Sequence, residues 1–165
     1  MWPIRILSLM LVSFLAMGCS THVTTLDLLP STYVGNLQVT GIDTATTLPD
    51  LNPEVIPALK SAVVERMAKM PSGVMPVKIV MTVTEYVLKN GGARALIGAF
   101  AGDNRMTVNV KVLDITGGVI SEFKVERRAN PGGYGAFYAQ GAAMINATAD
   151  GITDGLRGMN GRRPS

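Results

Sequence analysis

Residues 105–127 read RMTVNVKVLDITGGVISEFKVER. In the first half Met106, Val108, Val110 and Val112 alternate with Thr107, Asn109 and Lys111. In the second half Val119, Ser121, Phe123 and Val125 oppose Glu122, Lys124 and Glu126. A period of two is the mark of a strand with one buried face and one wet face. Between the halves lies Thr116-Gly117-Gly118, and glycine tolerates the positive φ that tight hairpins demand. The stretch therefore predicts a β-hairpin, and its clean alternation favours antiparallel pairing.

Upstream, Val77, Ile79, Met81 and Val83 alternate with Lys78, Val80, Thr82 and Thr84, predicting a long strand that is partly apolar on both faces. Before it, Ile56, Leu59, Val63, Met67 and Met70 recur at helical spacing. Asn52 suits the N-cap of that helix and Pro53 its first position. Leu51 and Ile56 are placed to form a hydrophobic staple. Pro57 sits awkwardly deep in the first turn, and Pro71-Ser72-Gly73 ends the helix. Val34–Ile42 alternates loosely as another strand, followed by a polar loop from Asp43 to Asp50. Downstream of the hairpin a second helix is expected over Ala136–Leu156. Gly135, Ala139, Ala143, Ala147, Gly151 and Gly155 recur there every fourth position. Such a row of small side chains lets another element approach closely, and Ala143 is expected to be packed. The order strand-helix-strand-hairpin-helix predicts an α+β fold. Its small, mostly antiparallel sheet carries two helices packed on one face.

The N-terminus has a different character. Arg5 gives a short positive start, Ile6–Ala16 is almost unbroken apolar sequence, and Met17-Gly18 lead into Cys19. This is the secretory pattern, and the run is shorter than the roughly 20 apolar residues of a membrane span. Leu15-Ala16-Met17-Gly18-Cys19 resembles the bacterial lipobox, with Gly18 and Cys19 in their usual places. Ala16 stands where Leu is usual, and Met17 where a small residue is usual. The resemblance makes residues 1–18 a signal peptide and Cys19 the site of lipid attachment. Ser20, being other than Asp, then implies sorting to the outer membrane with the domain facing the periplasm. Residues 19–32, rich in Thr and Ser, read as a lipidated tether. Residues 33–158 read as one domain and 159–165 as a basic, frayed tail.

Chemistry is sparse. The chain has one Cys and one His, and His22 lies three residues from the lipidated position. Neither a Ser-His-Asp or Cys-His site nor a zinc site can be assembled around it. Among the carboxylates Glu85, Asp103, Asp114, Glu122 and Glu126, a catalytic pair is a weak reading. Glu122 and Glu126 belong to the wet face of the hairpin, and Asp114 precedes its turn. The net charge of +3 falls by one when Arg5 leaves with the signal peptide, far from the clustered basic face of a nucleic-acid binder. No catalytic residue, metal or cofactor is assigned. The most distinctive segment is Gly91–Asp103. It lacks the Gly-Lys-Ser/Thr of a phosphate loop. It reads first as a glycine-rich connection and second as an interaction loop carrying Arg94, Leu96, Ile97, Gly98, Phe100 and Gly102.

Arg94-Ala-Leu-Ile-Gly-Ala-Phe-Ala-Gly102, the strand Met106–Val112 and Asp114-Ile-Thr-Gly-Gly-Val-Ile120 together resemble a family of small bacterial lipoproteins known only as a domain of unknown function. The likeness covers most of the mature chain and brings no activity with it. More loosely, the element order resembles the α/β domain of envelope-assembly lipoproteins, such as those of curli secretion or peptidoglycan-synthase activation. The expectation is a non-enzymatic, lipid-anchored envelope protein. It would be held to the membrane by its acyl chains and bind another envelope protein in an assembly or accessory role, in an oligomeric state left open. A small-ligand or lipid-binding module, with a pocket under the Gly91–Gly102 loop, is the alternative. A carboxylate hydrolase is a distant third.

Overall fold

The computed structural model describes residues 19–89, 103–129 and 139–158. The expected signal peptide, the expected interaction loop from Arg94 to Gly102, residues 136–138 of the expected second helix and the expected basic tail lie outside the described residues. Seven elements follow one another: β1 (Ser20–Asp27), β2 (Leu37–Thr46), α1 (Val55–Met67), β3 (Met75–Val87), β4 (Asn104–Leu113), β5 (Val119–Ala129) and α2 (Gln140–Leu156). They build one five-stranded sheet in the order β1-β5-β4-β3-β2. Every neighbouring pair is antiparallel except β2 and β3. A parallel pair needs a long crossover, and α1 supplies it. The fold is α+β, as the order of sequence patterns predicts.

The alternating residues of β3, β4 and β5 decide where the core sits. Val77, Ile79, Met81 and Val83, then Met106, Val108, Val110 and Val112, then Phe123 and Val125 are all buried on the helix-covered face. Leu59 and Val63 of α1 and Met144, Ile152 and Leu156 of α2 close over them. The opposite face stays polar. Its charges pair across strands, as in Lys78–Asp43 at 2.6 Å and Lys111–Glu122 at 3.6 Å. The hairpin turn forms where expected, with Gly117 at φ +87°. The Asp114 carboxylate accepts the backbone N–H groups of Thr116 and Gly118 at 2.8 and 2.9 Å.

Four expectations need correction. Residues 19–32 are not a free tether, because Ser20–Asp27 form β1 and pair with β5 from Ser20↔Arg128 onward. Thr and Val suit a pleated, half-buried surface. Thr21, Val23 and Thr25 turn toward the core while His22 and Thr24 are exposed. The domain therefore begins at Ser20, not at residue 33. The next strand is shifted: β2 starts at Leu37, after a turn in which Gly35 takes φ +70°. It runs on through Asp43–Thr46, where a loop was expected.

Helix α1 begins at Val55, not Pro53. Asn52 is therefore not the N-cap, which falls on Glu54; its Oδ1 accepts the Glu54 N–H at 2.9 Å in the turn that leads into the helix. Pro57 falls in the first turn, where an N–H has no helical acceptor in any case. The helix therefore runs straight on, with Ala58 N–H bonded to the Glu54 carbonyl. The small-residue row of α2 is packed at only one end. Ala143 is exposed and Ala147 half-buried, while Gly151 and Gly155 are buried. A period of four drifts about 40° per step around a helix of 3.6 residues per turn, which carries Ala143 off the sheet.

Candidate functional site

Cys19 is exposed, and the strand begins with the very next residue. A group attached to its sulfur would thus be held against one end of the sheet with no slack between. The pairings Ser20↔Arg128, Arg105↔Arg128 and Asn104↔Ala129 define that end. Asn104, only 1% exposed, ties it together. Its Oδ1 accepts the Lys89 N–H at 2.9 Å, and its Nδ2 donates to Gln140 Oε1 at 2.6 Å. One buried amide therefore joins the end of β3, the start of β4 and the start of α2. These residues flank segment 90–102, so both of its stems leave the sheet on the Cys19 side.

The same end is basic. Arg105 and Arg128 face each other across β4 and β5, and like charges so placed disfavour pairing unless an anion or carboxylate relieves them. Glu85 approaches Arg105 at 3.6 Å and also accepts the Thr107 hydroxyl at 3.0 Å. Arg127 lies on the other face, where its Nη1 donates to Thr21 Oγ1 at 2.9 Å and its buried Nε makes no hydrogen bond. Tyr86, at the end of β3, has its hydroxyl pKa raised by burial. An added Cβ on Gly141 of α2 would lie 3.2 Å from that hydroxyl.

The opposite end is apolar. Leu26, Leu28, Val34, Val74, Ile115 and Val119 are all exposed there, at the end of β1, the starts of β3 and β5 and the hairpin turn. Among the described residues, the large exposed hydrophobics elsewhere are Val64 and Leu88. Eight strand residues at about 3.4 Å each separate this pole from Cys19 by roughly 27 Å. A cavity of about 120 Å³ opens beside it, lined by Thr25, Leu28, Leu29, Val34, Phe123 and Gly155. Thr25 Oγ1 is buried without a hydrogen bond. The cavity is small beside the several hundred Å³ of a typical ligand site. It lies away from the stems of segment 90–102, not beneath them.

The remaining candidates are dispersed. Glu122 and Glu126 pair with Lys111 and Lys124 at 3.6 and 3.1 Å, and Asp114 serves the hairpin turn, so these carboxylates do not converge. His22 is exposed opposite Glu126 on the polar face. No group of three metal-ligating side chains occurs among the described residues. No helix among them is long and apolar enough to cross a membrane. Nothing in the sequence signals the Asn104 bridge or the apolar pole, since both depend on which strand ends meet.

Taken together the elements define a helix-backed α+β sheet domain. No family model and no characterised protein sequence matches the chain. Among solved structures it is similar to the PelC dodecamer from Paraburkholderia phytofirmans in space group P6. The TM-score is 0.56 at 12% identity, over 87% of this chain and 99% of that one. It is similar also to a methionine-for-leucine variant of that dodecamer in space group C2, with a TM-score of 0.55 at 13% identity and the same coverage. At such identity the likeness is one of fold.

Proposed function

We propose that the chain is a non-enzymatic lipoprotein of the outer membrane, anchored through Cys19, whose domain faces the periplasm. There it binds another envelope component in an assembly or accessory role, and it works as one copy among several. The observation that carries this reading is the polarity of the molecule. Cys19 and the basic residues Lys89, Arg105 and Arg128 mark one end, and six exposed apolar side chains mark the other. Basic residues beside an anionic membrane surface contribute about 1 kcal/mol each, and the acyl chains about 0.8 kcal/mol per buried CH₂. An apolar pole roughly 27 Å from the anchor is out of reach of the lipid. It is the kind of surface that a protein partner covers. The dodecameric state of the PelC structures, which share the fold, supports a multi-copy arrangement.

The test is site-specific photo-crosslinking in intact membranes. A photoreactive side chain at Ile115 should give an adduct with another polypeptide, and one at the exposed helix residue Ser61 should not. Equal labelling at both positions, or none at Ile115, contradicts the reading.

A further inference from the structure

Among the described residues the sheet has two unpaired edges, β1 on one side and β2 on the other. Natural edges are usually blocked by lysine, proline, inward charges, bulges or a covering element. Each edge strand has one register irregularity, between Thr25 and Asp27 in β1 and between Val39 and Gly41 in β2, leaving Ser20–Thr25 and Gly41–Thr46 regular. Here β1 reads STHVTTLD, with no lysine or proline and a single charge at its last residue. β2 reads LQVTGIDTAT, with Asp43 as its one charge, neutralised by Lys78. The strands are eight and ten residues long. Tracing the pairings across the sheet, β1 runs away from Cys19 and β2 runs back toward that end.

We infer that β1 of one copy pairs antiparallel with β2 of the next, so that anchored copies stand side by side in one continued sheet. This rests on the lipid-anchored reading, and the anchor is what selects the pairing. Pairing β1 with a second β1 antiparallel about a two-fold axis would lift one Cys19 roughly 27 Å off the membrane that holds the other. Two β2 edges paired in the same way invert one copy likewise. Because β1 and β2 have opposite polarity, the β1–β2 joint is antiparallel and leaves every Cys19 on one side. The apolar layers also meet. Val23 on β1 and Val39 and Ile42 on β2 are half-buried on the helix-covered face, and the joint continues the core through them. Such an interface is head-to-tail, using a different surface on each side. It closes into a ring if the rotation permits, and otherwise runs on as an open chain.

Thr24 and Ala45 are exposed and lie in one row across the sheet, through Lys124, Asn109 and Thr82. The experiment uses the full chain in its membrane with Thr24→Cys/Ala45→Cys, and His22→Cys/Ala45→Cys to bracket the register. A thiol crosslinker spanning about 8 Å covers direct and diagonal neighbours. At least one double variant should give a ladder of covalent species beyond the dimer, while each single variant stays monomeric. A single variant that dimerises, or two double variants that stay monomeric in the membrane fraction, overturns the β1–β2 joint. Palmitate labelling of the same samples reads the anchor separately. A chain that carries no label overturns the anchored reading itself, and with it the selection of this edge pairing.

Discussion

An added Cβ on Gly155 of α2 would lie 2.5 Å from Cε2 of Phe123 on β5. The helix rests directly on the aromatic ring at that point. One turn earlier, a Cβ on Gly151 would lie 2.7 Å from Val125 Cγ1 and 2.9 Å from Thr21 Cγ2. The last two turns of α2 thus approach β5 and β1 as closely as only glycine allows.

Gly155→Ala therefore sets two effects against each other. Alanine is favoured over glycine in a helix interior by about 1 kcal/mol. Overpacking against a buried ring costs roughly 1–3 kcal/mol. Phe123 is 3% exposed and has little room to yield, so the clash wins. Denaturant melts should show net destabilisation for Gly155→Ala and Gly151→Ala. Ala143→Leu, on the exposed part of the same row, should stay within about 0.5 kcal/mol of the parent. A stabilised Gly155→Ala would mean that the helix does not sit on Phe123.

Arg66 of α1 reaches Asp150 of α2, with Nε 2.6 Å from Oδ1. Its guanidinium also donates to the Ala62 carbonyl at 3.0 Å. The arginine side chain is 19% exposed and the aspartate 51%, so solvent screens the pair. Asp150→Ala should cost about 1 kcal/mol or less, and the loss should shrink as salt is raised. A loss that is independent of salt would assign the effect to packing between the helices.

Hydrogen bonds from the Thr116 hydroxyl first, then from the backbone N–H groups of Gly118 and Thr116, hold the Asp114 carboxyl below its ordinary value of 3.8. A carboxyl lowered in the folded state stabilises the fold above its unfolded pKa and loses that contribution as pH falls through the folded value. Asp114→Ala should therefore be less stable than the parent at neutral pH. The gap should narrow as pH drops below about 3.8. Thermal melts across that range check it, and a gap constant with pH would contradict it.

How much of this was legible follows from where each signal comes from. The hairpin and β3 declared themselves because every second residue is apolar, as in Met106, Val108, Val110 and Val112. β1 escaped because it is an edge: Val23 is the one apolar residue on its inner face, flanked by Thr21 and Thr25, and threonine reads equally as strand or as polar spacer. The row of small residues pointed to close packing, but not to which end of it. That depends on how α2 crosses β5, a tertiary fact. Arg66–Asp150 is 84 residues apart in the chain and Asn104–Gln140 36 apart, and nothing local announces either contact. That a strand begins directly after Cys19, with no tether between, was not legible.

The account depends most on Cys19. Labelled palmitate should be incorporated into the parent chain, which should sediment with the membrane fraction. Cys19→Ser should incorporate none, because Cys19 is the only cysteine in the chain. Label retained on Cys19→Ser, or a parent chain that takes up no label, would contradict it.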